Sequence, residues 1–227
     1  MKLSNLSFGA SSLGSVFHET KEEESIKAVE TALEGGINFI DVSPYYGHYK
    51  AETVLGKALK RLPRDKFYLS TKVGRYGKDG KNTWDYSAKR ATESVLNFCH
   101  YCLNDDELLD YLDYFEGKGV GVINASPLSM GLLTLRGVPD WHPAPKPLVK
   151  ACAEAAKFCQ DKGYPIEKLA IQYSVGNPRI TSTLFSSANP MNVERNIEWA
   201  REAPDAELVN DVKAIIGEQQ RVSWANS

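Results

Sequence analysis

The sequence lacks a strong excess of charge of either sign. Its 227 residues include 27 Lys and Arg against 29 Asp and Glu, which gives a net charge of -2. We therefore expect no broad basic surface that recruits nucleic acid or an anionic membrane. The longest uncharged stretch, Gly119 to Leu135, is broken by polar residues and falls short of the roughly 20 apolar residues that span a bilayer. No secretory signal is evident after Met1, so a cytoplasmic protein is predicted.

Cysteine is also scarce, with four residues in the chain. The segment Cys99 to Cys102, which includes a histidine, has the spacing of half a zinc site, and His142 is a further possible ligand. Cys152 and Cys159 lie seven apart in a helical pattern, which is a core spacing. A closed zinc site needs four converging ligands, so we predict no metal and expect reduced, mostly buried thiols. A small zinc protein remains the alternative.

Apolar segments alternate between strand-like and helix-like patterns. Helices are indicated by a possible capping box at Thr20 to Glu23, by the amphipathic segment Ala51 to Arg61, and by Asn104 before a leucine-rich stretch. Further helices are expected from the Leu148 to Cys159 stripe and after prolines 190 and 204. The six predicted strands cover residues 6–9, 37–42, 67–72, 95–99, 119–124 and 180–185. Strands separated by helices form parallel sheets, so the predicted fold class is α/β.

Polar side chains collect at the carboxyl ends of these strands, where a (β/α) barrel carries its chemistry. Asp41 and Lys72 close two successive strands, His100 and Asn124 follow later ones, and Tyr46 lies in the loop after Asp41. No glycine fingerprint for a dinucleotide follows the first strand, and no phosphate loop with Gly-Lys-Ser/Thr occurs. A phenol acidified by a nearby ammonium group is a proton donor for carbonyl chemistry. A phenol of the Asp41 to Gly47 segment and the ammonium of Lys72 are therefore candidate catalytic groups.

Several separate segments resemble those of the aldo-keto reductases. Asp41 to Gly47 and Ser70 to Gly74 are similar to the family's active-site segments. Gly9 to Phe17, Cys99 to Asp105 and Asn124 to Leu133 narrow the resemblance to the L-galactose dehydrogenase branch. The similarity runs from about residue 3 to about residue 200. It implies a (β/α) TIM barrel and hydride transfer between a nicotinamide and a sugar or carbonyl substrate.

The resemblance also implies roles for individual residues. Tyr46 is expected to donate or accept the proton, Lys72 to lower the pKa of Tyr46, and Asp41 to hold Lys72 in place. Because Ser186 and Asn192 stand where NADP-preferring relatives carry basic side chains, NAD is favoured over NADP. The residues that the resemblance assigns to the cofactor are Ser126, Pro127, Leu128, Ser186, Ser187, Asn192, Arg195 and Asn196.

The chain departs from the family in its length. An eight-unit barrel takes about 250 residues, and six strand–helix units are recognisable here. The helix beginning at Ser87 passes directly into a strand that resembles the sixth of the family, which indicates a deletion of about two units with its junction near 94–98. The family's catalytic histidine falls in the missing part. An alternative transcript, an erroneous gene model and real divergence all fit this gap.

The gap leaves two readings of the function open. We predict one incomplete barrel domain over 1–217, with a tail at 218–227 that forms no element and two strand edges that the missing units would have paired. One reading is an NAD(P)-dependent oxidoreductase that oxidises an aldose at C1. The alternative is a catalytically silent relative that binds a cofactor weakly or serves as an interaction module.

Overall fold

The computed structural model describes residues 2–71, 75–78, 81–84 and 94–224, with the backbone alone described for 75–78, 81–84 and 94–97. Contacts divide the chain into two compact units. Unit 1 consists of residues 1–92 and 184–198, and unit 2 of residues 93–183 and 199–227. Each unit is described by itself below.

Unit 1 contains a parallel sheet in the order β3-β2-β1. Phe8 pairs with Ile40, and Asp41 pairs with Ser70, so the three strands end at the same edge. The last two residues of β8 lie beside β1, where the Phe8 and Phe185 rings meet edge to face at 5.9 Å. The elements of this unit are β1 (Leu6–Gly9), α1 (Glu22–Glu34), β2 (Phe39–Asp41), α2 (Lys50–Leu59), β3 (Tyr68–Ser70), β4 (Arg75–Lys78), β5 (Lys81–Trp84), the end of β8 (Ser182–Phe185) and α6 (Pro190–Trp199).

Unit 2 contains β6 and β7, which pair in parallel from Ser94 with Gly121 to Phe98 with Ala125. Its core lies mainly between helices: Leu148 and Cys152 of α4, Leu169 of α5 and Val212 of α7 are fully buried in one cluster. The elements of this unit are β6 (Ser94–Phe98), α3 (Leu112–Gly117), β7 (Gly121–Ala125), α4 (Lys146–Asp161), α5 (Ile166–Val175), the start of β8 and α7 (Ala206–Ile216).

The predicted α/β class is confirmed. The main sheet has six strands, as predicted for an incomplete (β/α) barrel, and described helices separate them in sequence except between β3 and β6, where the β4–β5 hairpin lies. Among the described residues, β3 and β6 each have one side unpaired, as the missing units predict, and Leu69 and Phe98 on these strands are exposed. Of the helices in the described ranges, none has both the length and the apolar character needed to cross a bilayer. The extent of a single domain over 1–217 stays a prediction.

Three predicted helix starts are wrong in detail. Thr20 does not cap α1; its hydroxyl instead hydrogen-bonds Ser15 Oγ at 2.9 Å. Asn104 is buried before a 3-10 turn and caps no helix. Pro204 was expected in the first turn of a helix, but it lies before Asp205, whose carboxylate caps α7 by accepting two backbone N–H groups of the first turn. The Thr20 hydroxyl is used in a tertiary hydrogen bond, and Asp205 supplies the acceptor at the start of α7.

Three elements had not been predicted, one expectation about the tail is wrong, and one expected helix cannot be compared. Helix α5 and the antiparallel hairpin of β4 and β5 carry no strong start signal. The C-terminal tail begins with a 3-10 turn over Gly217–Gln219, although no element was expected there. The expected helix from Ser87 lies outside the described residues.

Candidate active site

Three loops meet at the carboxyl ends of the strands of unit 1. The backbone N–H of Ala10, after β1, donates to the carbonyl oxygen of Asp41 at 2.8 Å. The N–H of Val42, after β2, donates to the carbonyl oxygen of Ser70 at 2.9 Å. Asp41 itself is 5% exposed, although an aspartate is rarely buried without a partner. The strand register therefore places the predicted carboxylate inside the unit, next to the start of the loop that carries Tyr46.

The Tyr46 loop is fixed by a close contact between two glycines. The N–H of Tyr46 donates to the carbonyl oxygen of Ser43 at 3.1 Å, which closes a turn directly after β2. Gly47 has a φ of +62°, and any Cβ there would overlap the carbonyl oxygen of Gly14. A Cβ on Gly14 would in turn lie 2.6 Å from the carbonyl oxygen of Tyr46. The loop that holds the half-buried Tyr46 thus packs backbone to backbone against the loop after β1.

Lys72 lies outside the described residues, so its role stays a prediction. The residue before it is anchored, because Thr71 Oγ1 donates to Glu52 Oε1 of α2 at 2.9 Å. This contact ties the chain leaving β3 to the helix that follows the Tyr46 loop. Of the three predicted catalytic residues, the structure describes two: Asp41 is the last residue of β2, and Tyr46 lies in the loop that follows it.

Unit 1 also contains five of the residues assigned to the cofactor. Ser186, directly after β8, donates to Ser12 Oγ at 2.8 Å and accepts the backbone N–H of Ser12 at 2.9 Å. Ser187 accepts the N–H of Asn189 at 3.1 Å, just before α6. Further along that helix, Arg195 donates to Asn192, and Asn196 is buried. Ser12 had not been predicted, although the polar residues directly after β1 were a usable signal.

The other assigned cofactor residues lie in unit 2, directly after β7. Ser126 has a φ of +64°, Pro127 is buried and Leu128 is half-buried. Ser129 and Met130 also have positive φ values, so successive N–H groups follow an irregular path of the kind that lines anion sites. Ser129 Oγ is buried beside the Cys102 thiol, with which it can form a hydrogen bond. The irregular backbone after β7, and not this hydroxyl, is what fits a cofactor phosphate near the loop.

The described residues of unit 2 do not support the alternative of a zinc site that uses Cys99 and Cys102 as a ligand pair. The thiol of Cys102 donates to the carbonyl oxygen of Cys99 at 3.3 Å, as an inward-facing structural thiol does. Burial raises the pKa of Cys99 to about 12, despite a hydrogen bond from Ser126 that lowers it. Burial also lowers the pKa of His142, whose ring lies against Trp141. All four cysteines are free and buried, as predicted from the sequence.

A surface cavity of about 340 Å³ in unit 1 lies away from these loops. Its walls include Leu33, Ile37 and Leu62, which precede β2 and β3 and thus lie at the amino ends of the strands. Chemistry in parallel sheets of this kind sits at the carboxyl ends. The cavity volume alone therefore does not mark the site.

A profile of the Aldo/keto reductase family matches residues 5–103 and 94–216. L-galactose dehydrogenase from Arabidopsis thaliana is 34% identical over 303 aligned residues, covering 99% of this chain and 94% of the relative. The chain belongs to the aldo/keto reductase family. It is an oxidoreductase by that membership, as predicted. D-arabinose 1-dehydrogenase from Saccharomyces cerevisiae is 26% identical and covers 69% of the chain and 71% of the relative.

Solved aldo-keto reductase structures share the fold. Glycerol dehydrogenase from Gluconobacter oxydans superposes with a TM-score of 0.71 at 16% identity, covering 99% of this chain and 95% of that one. The holo form of an aldo-keto reductase from Bacillus halodurans gives a TM-score of 0.73 at 18% identity, with the same coverage. At such low identities these matches establish the fold alone, and they confirm the aldo-keto reductase type of the incomplete barrel.

The alignment also supports the predicted gap. The match to the plant aldo/keto reductase has 303 aligned positions, whereas this chain has 227 residues, so at least 76 positions have no residue here. The two profile matches overlap at residues 94–103, which include the predicted junction at 94–98. A continuous family member would give one match rather than two overlapping ones. The chain is therefore an aldo/keto reductase that is shorter than its relatives.

Proposed function

We propose that this chain is an NAD(P)-dependent aldose dehydrogenase that oxidises C1 of a sugar to a lactone, with L-galactose as the first substrate to test. The observation that supports this most is the Asp41–Gly47 segment, which is held at the carboxyl end of β2 and packs through Gly47 on the loop after β1. The relative named L-galactose dehydrogenase aligns over 99% of the chain and so includes this segment. Where a route to ascorbate exists, this reaction is the proposed step in it.

In this proposal Tyr46 accepts the proton of the C1 hydroxyl. The phenol is half-buried, so water is partly excluded around it while its loop stays rigid. Lys72 stabilises the ionised phenol of Tyr46 that accepts this proton, and the buried Asp41 keeps Lys72 charged. The oxidised nicotinamide, when bound, supplies the hydride acceptor. Oxidation therefore needs only a positioned base from the protein and no metal.

The cofactor residues are proposed in two groups. Ser126, Pro127 and Leu128 line the pyrophosphate, a role that the left-handed backbone of Ser126 supports. Ser186, Ser187, Asn192, Arg195 and Asn196 hold the adenosine half. Because Arg195 is already hydrogen-bonded to Asn192, a 2′-phosphate would have to compete for its guanidinium, and NAD is favoured over NADP.

The proposed location of the protein is the cytoplasm, because its four free, buried thiols suit a reducing compartment.

The test is turnover by the purified chain, followed as NADH absorbance with L-galactose. Replacing Tyr46 with phenylalanine removes the proton acceptor, and loss of general base catalysis costs roughly 10²- to 10⁴-fold in kcat. Tyr45→Phe is the matched control. Tyr45 is the neighbour of Tyr46 in sequence, its ring centroid lies 6.1 Å from that of His48, and it has no proposed role. Equal turnover in the two variants would remove Tyr46 from the mechanism.

A second candidate is a silent relative that binds the cofactor without turnover. The missing positions and the unpaired sides of β3 and β6 among the described residues motivate it. Trp141 is 54% exposed and can report binding through its fluorescence. Quenching by NAD without turnover of any aldose favours this candidate, whereas sustained turnover eliminates it.

A further inference from the structure

A cluster of three potential metal ligands lies in unit 2, after β6. We call His100, Asp105 and Glu107 the His100 cluster. His100 Nδ1 is 3.0 Å from Asp105 Oδ2 and 3.4 Å from Glu107 Oε2. The three ligand atoms all lie within 4.8 Å of one another. Zinc bonds to nitrogen and carboxylate oxygen of about 2.0–2.2 Å put neighbouring ligands about 3.0–3.5 Å apart. The two measured separations therefore match the edges of a coordination shell.

Hydrogen bonding within the cluster does not account for all of its charge. The Nδ1 of one imidazole carries a single proton at most, yet two carboxylate oxygens face it. The side chain of Asp105 is 3% exposed, and among the described residues His100 is its one ion-pair partner. A buried carboxylate is costly unless it is paired or coordinates a metal. The cluster as described holds more negative charge than its histidine neutralises.

The protein also orients the cluster and leaves space beside it. Asp105 Oδ1 accepts the backbone N–H of Glu107 at 3.0 Å, which fixes one carboxylate oxygen and leaves Oδ2 facing His100. A small cavity of about 40 Å³ borders His100 and Asp105 and has Cys99, Ser223 and Trp224 in its wall. Such a volume exceeds the roughly 10–15 Å³ that one water needs. It can therefore take the water that completes an ion's coordination.

The cavity also offers a sulfur donor. Cys99 is 6% exposed and lies in the cavity wall. Nitrogen, oxygen and sulfur donors together suit zinc and its neighbours better than magnesium or calcium. The Cys99–Cys102 spacing that suggested half a zinc site thus contributes one sulfur at most, because the Cys102 thiol is engaged elsewhere.

We propose that His100, Asp105 and Glu107 form a divalent transition-metal site, with water or the Cys99 thiol in the remaining position. The site is separate from the proposed sugar oxidation, which needs no metal. It joins His100, which follows β6, to the residues that begin the next 3-10 turn. Bound metal is therefore expected to stabilise this segment of unit 2 and to leave the Tyr46 chemistry unchanged.

The experiment is a zinc titration of the untagged, EDTA-treated full chain, with the heat of binding measured by calorimetry. We expect one equivalent to bind and the melting temperature to rise with zinc but not with magnesium. Glu107→Gln is the decisive variant, because its side chain is 43% exposed and its loss should not affect folding. It should weaken zinc binding at least about tenfold, the loss typical even of residues that only support a ligand. Asp105→Asn should weaken it as much.

The controls separate this site from incidental zinc binding. His18→Gln and Glu154→Gln change an exposed imidazole and an exposed carboxylate outside the cluster and should leave the affinity unchanged. Cobalt is used as a spectroscopic probe: a thiolate charge-transfer band that Cys99→Ser removes places sulfur in the shell, and its absence places water there. Zinc binding that Glu107→Gln leaves unaltered, or no stoichiometric binding at all, would overturn the proposal.

Discussion

Replacing Gly47 with alanine perturbs the contact that holds the Tyr46 loop. The added Cβ would overlap the carbonyl oxygen of Gly14, which belongs to the backbone and cannot rotate away. The φ of +62° is an additional cost for any residue with a Cβ. We expect Gly47→Ala to destabilise the protein and to lower turnover, because the loop must move to relieve the overlap.

The loss in the free energy of unfolding that we expect for Gly47→Ala has two separate contributions. A left-handed backbone costs a residue with a Cβ about 1–2 kcal/mol. Forcing an atom into a filled space costs about a further 1–3 kcal/mol. Gly36 isolates the first term, since its φ is +95° and a Cβ there meets nothing within 4 Å. We therefore expect Gly47→Ala to lose roughly 2–5 kcal/mol and Gly36→Ala about 1–2 kcal/mol.

The assay is urea unfolding of the three glycine variants beside the unmodified chain. Gly56→Ala is the third variant; it lies inside α2 with open space around it and should stabilise the protein by about 0.5–1 kcal/mol. Initial rates of NADH formation are measured on the same preparations. Equal free energies of unfolding for Gly47→Ala and Gly36→Ala would refute the backbone contact with Gly14.

Three further perturbations have defined outcomes. Asp205→Ala removes the cap of α7 and should lower the free energy of unfolding by about 1 kcal/mol in a urea titration. Burial opposes ionisation of Asp106, but hydrogen bonds from Lys213 and Arg221 outweigh it and lower the pKa of its carboxyl. The stabilisation by Asp106 is present above the ordinary aspartate pKa and lost as the pH falls through the lowered value, so Asp106→Asn should be the less stable protein at pH 7 and match the unmodified chain in acid. The cysteines should resist a thiol reagent in the native state and all react after unfolding, because all four are buried.

The alternation of strands and helices was predictable because its signal is local. The apolar run that became β2 and the Leu148–Cys159 stripe of α4 were both recognisable from their periodicity alone. Thr20 shows where local rules end, because Ser15 offers its hydroxyl a tertiary partner that no capping rule includes. Helix α5 was missed since its sequence is apolar on most sides, as a helix buried in the core of unit 2 is.

The candidate site was predictable in its residues but not in its supports. Asp41 was found because a polar residue at the end of a buried strand is a sequence signal, and Tyr46 was assigned through the family resemblance. Ser12 follows β1 and carries the same signal, but its contact with Ser186, 174 positions away in the sequence, does not follow from that signal. The same holds for Gly14 and Gly47, whose close approach depends on two loops folding together. Long-range contacts of this kind depend on the strand register, which the sequence pattern leaves open.

Unit 1 is built from two segments that are far apart in the sequence, and this affects how the protein folds during its synthesis. The unit needs residues 184–198, yet its first 92 residues leave the ribosome long before them. At about 5–20 residues per second, the side of β1 that Phe185 covers waits on the order of 10–35 s for its partner. During translation the nascent chain therefore exposes an apolar strand, and this interval is when a chaperone would bind it.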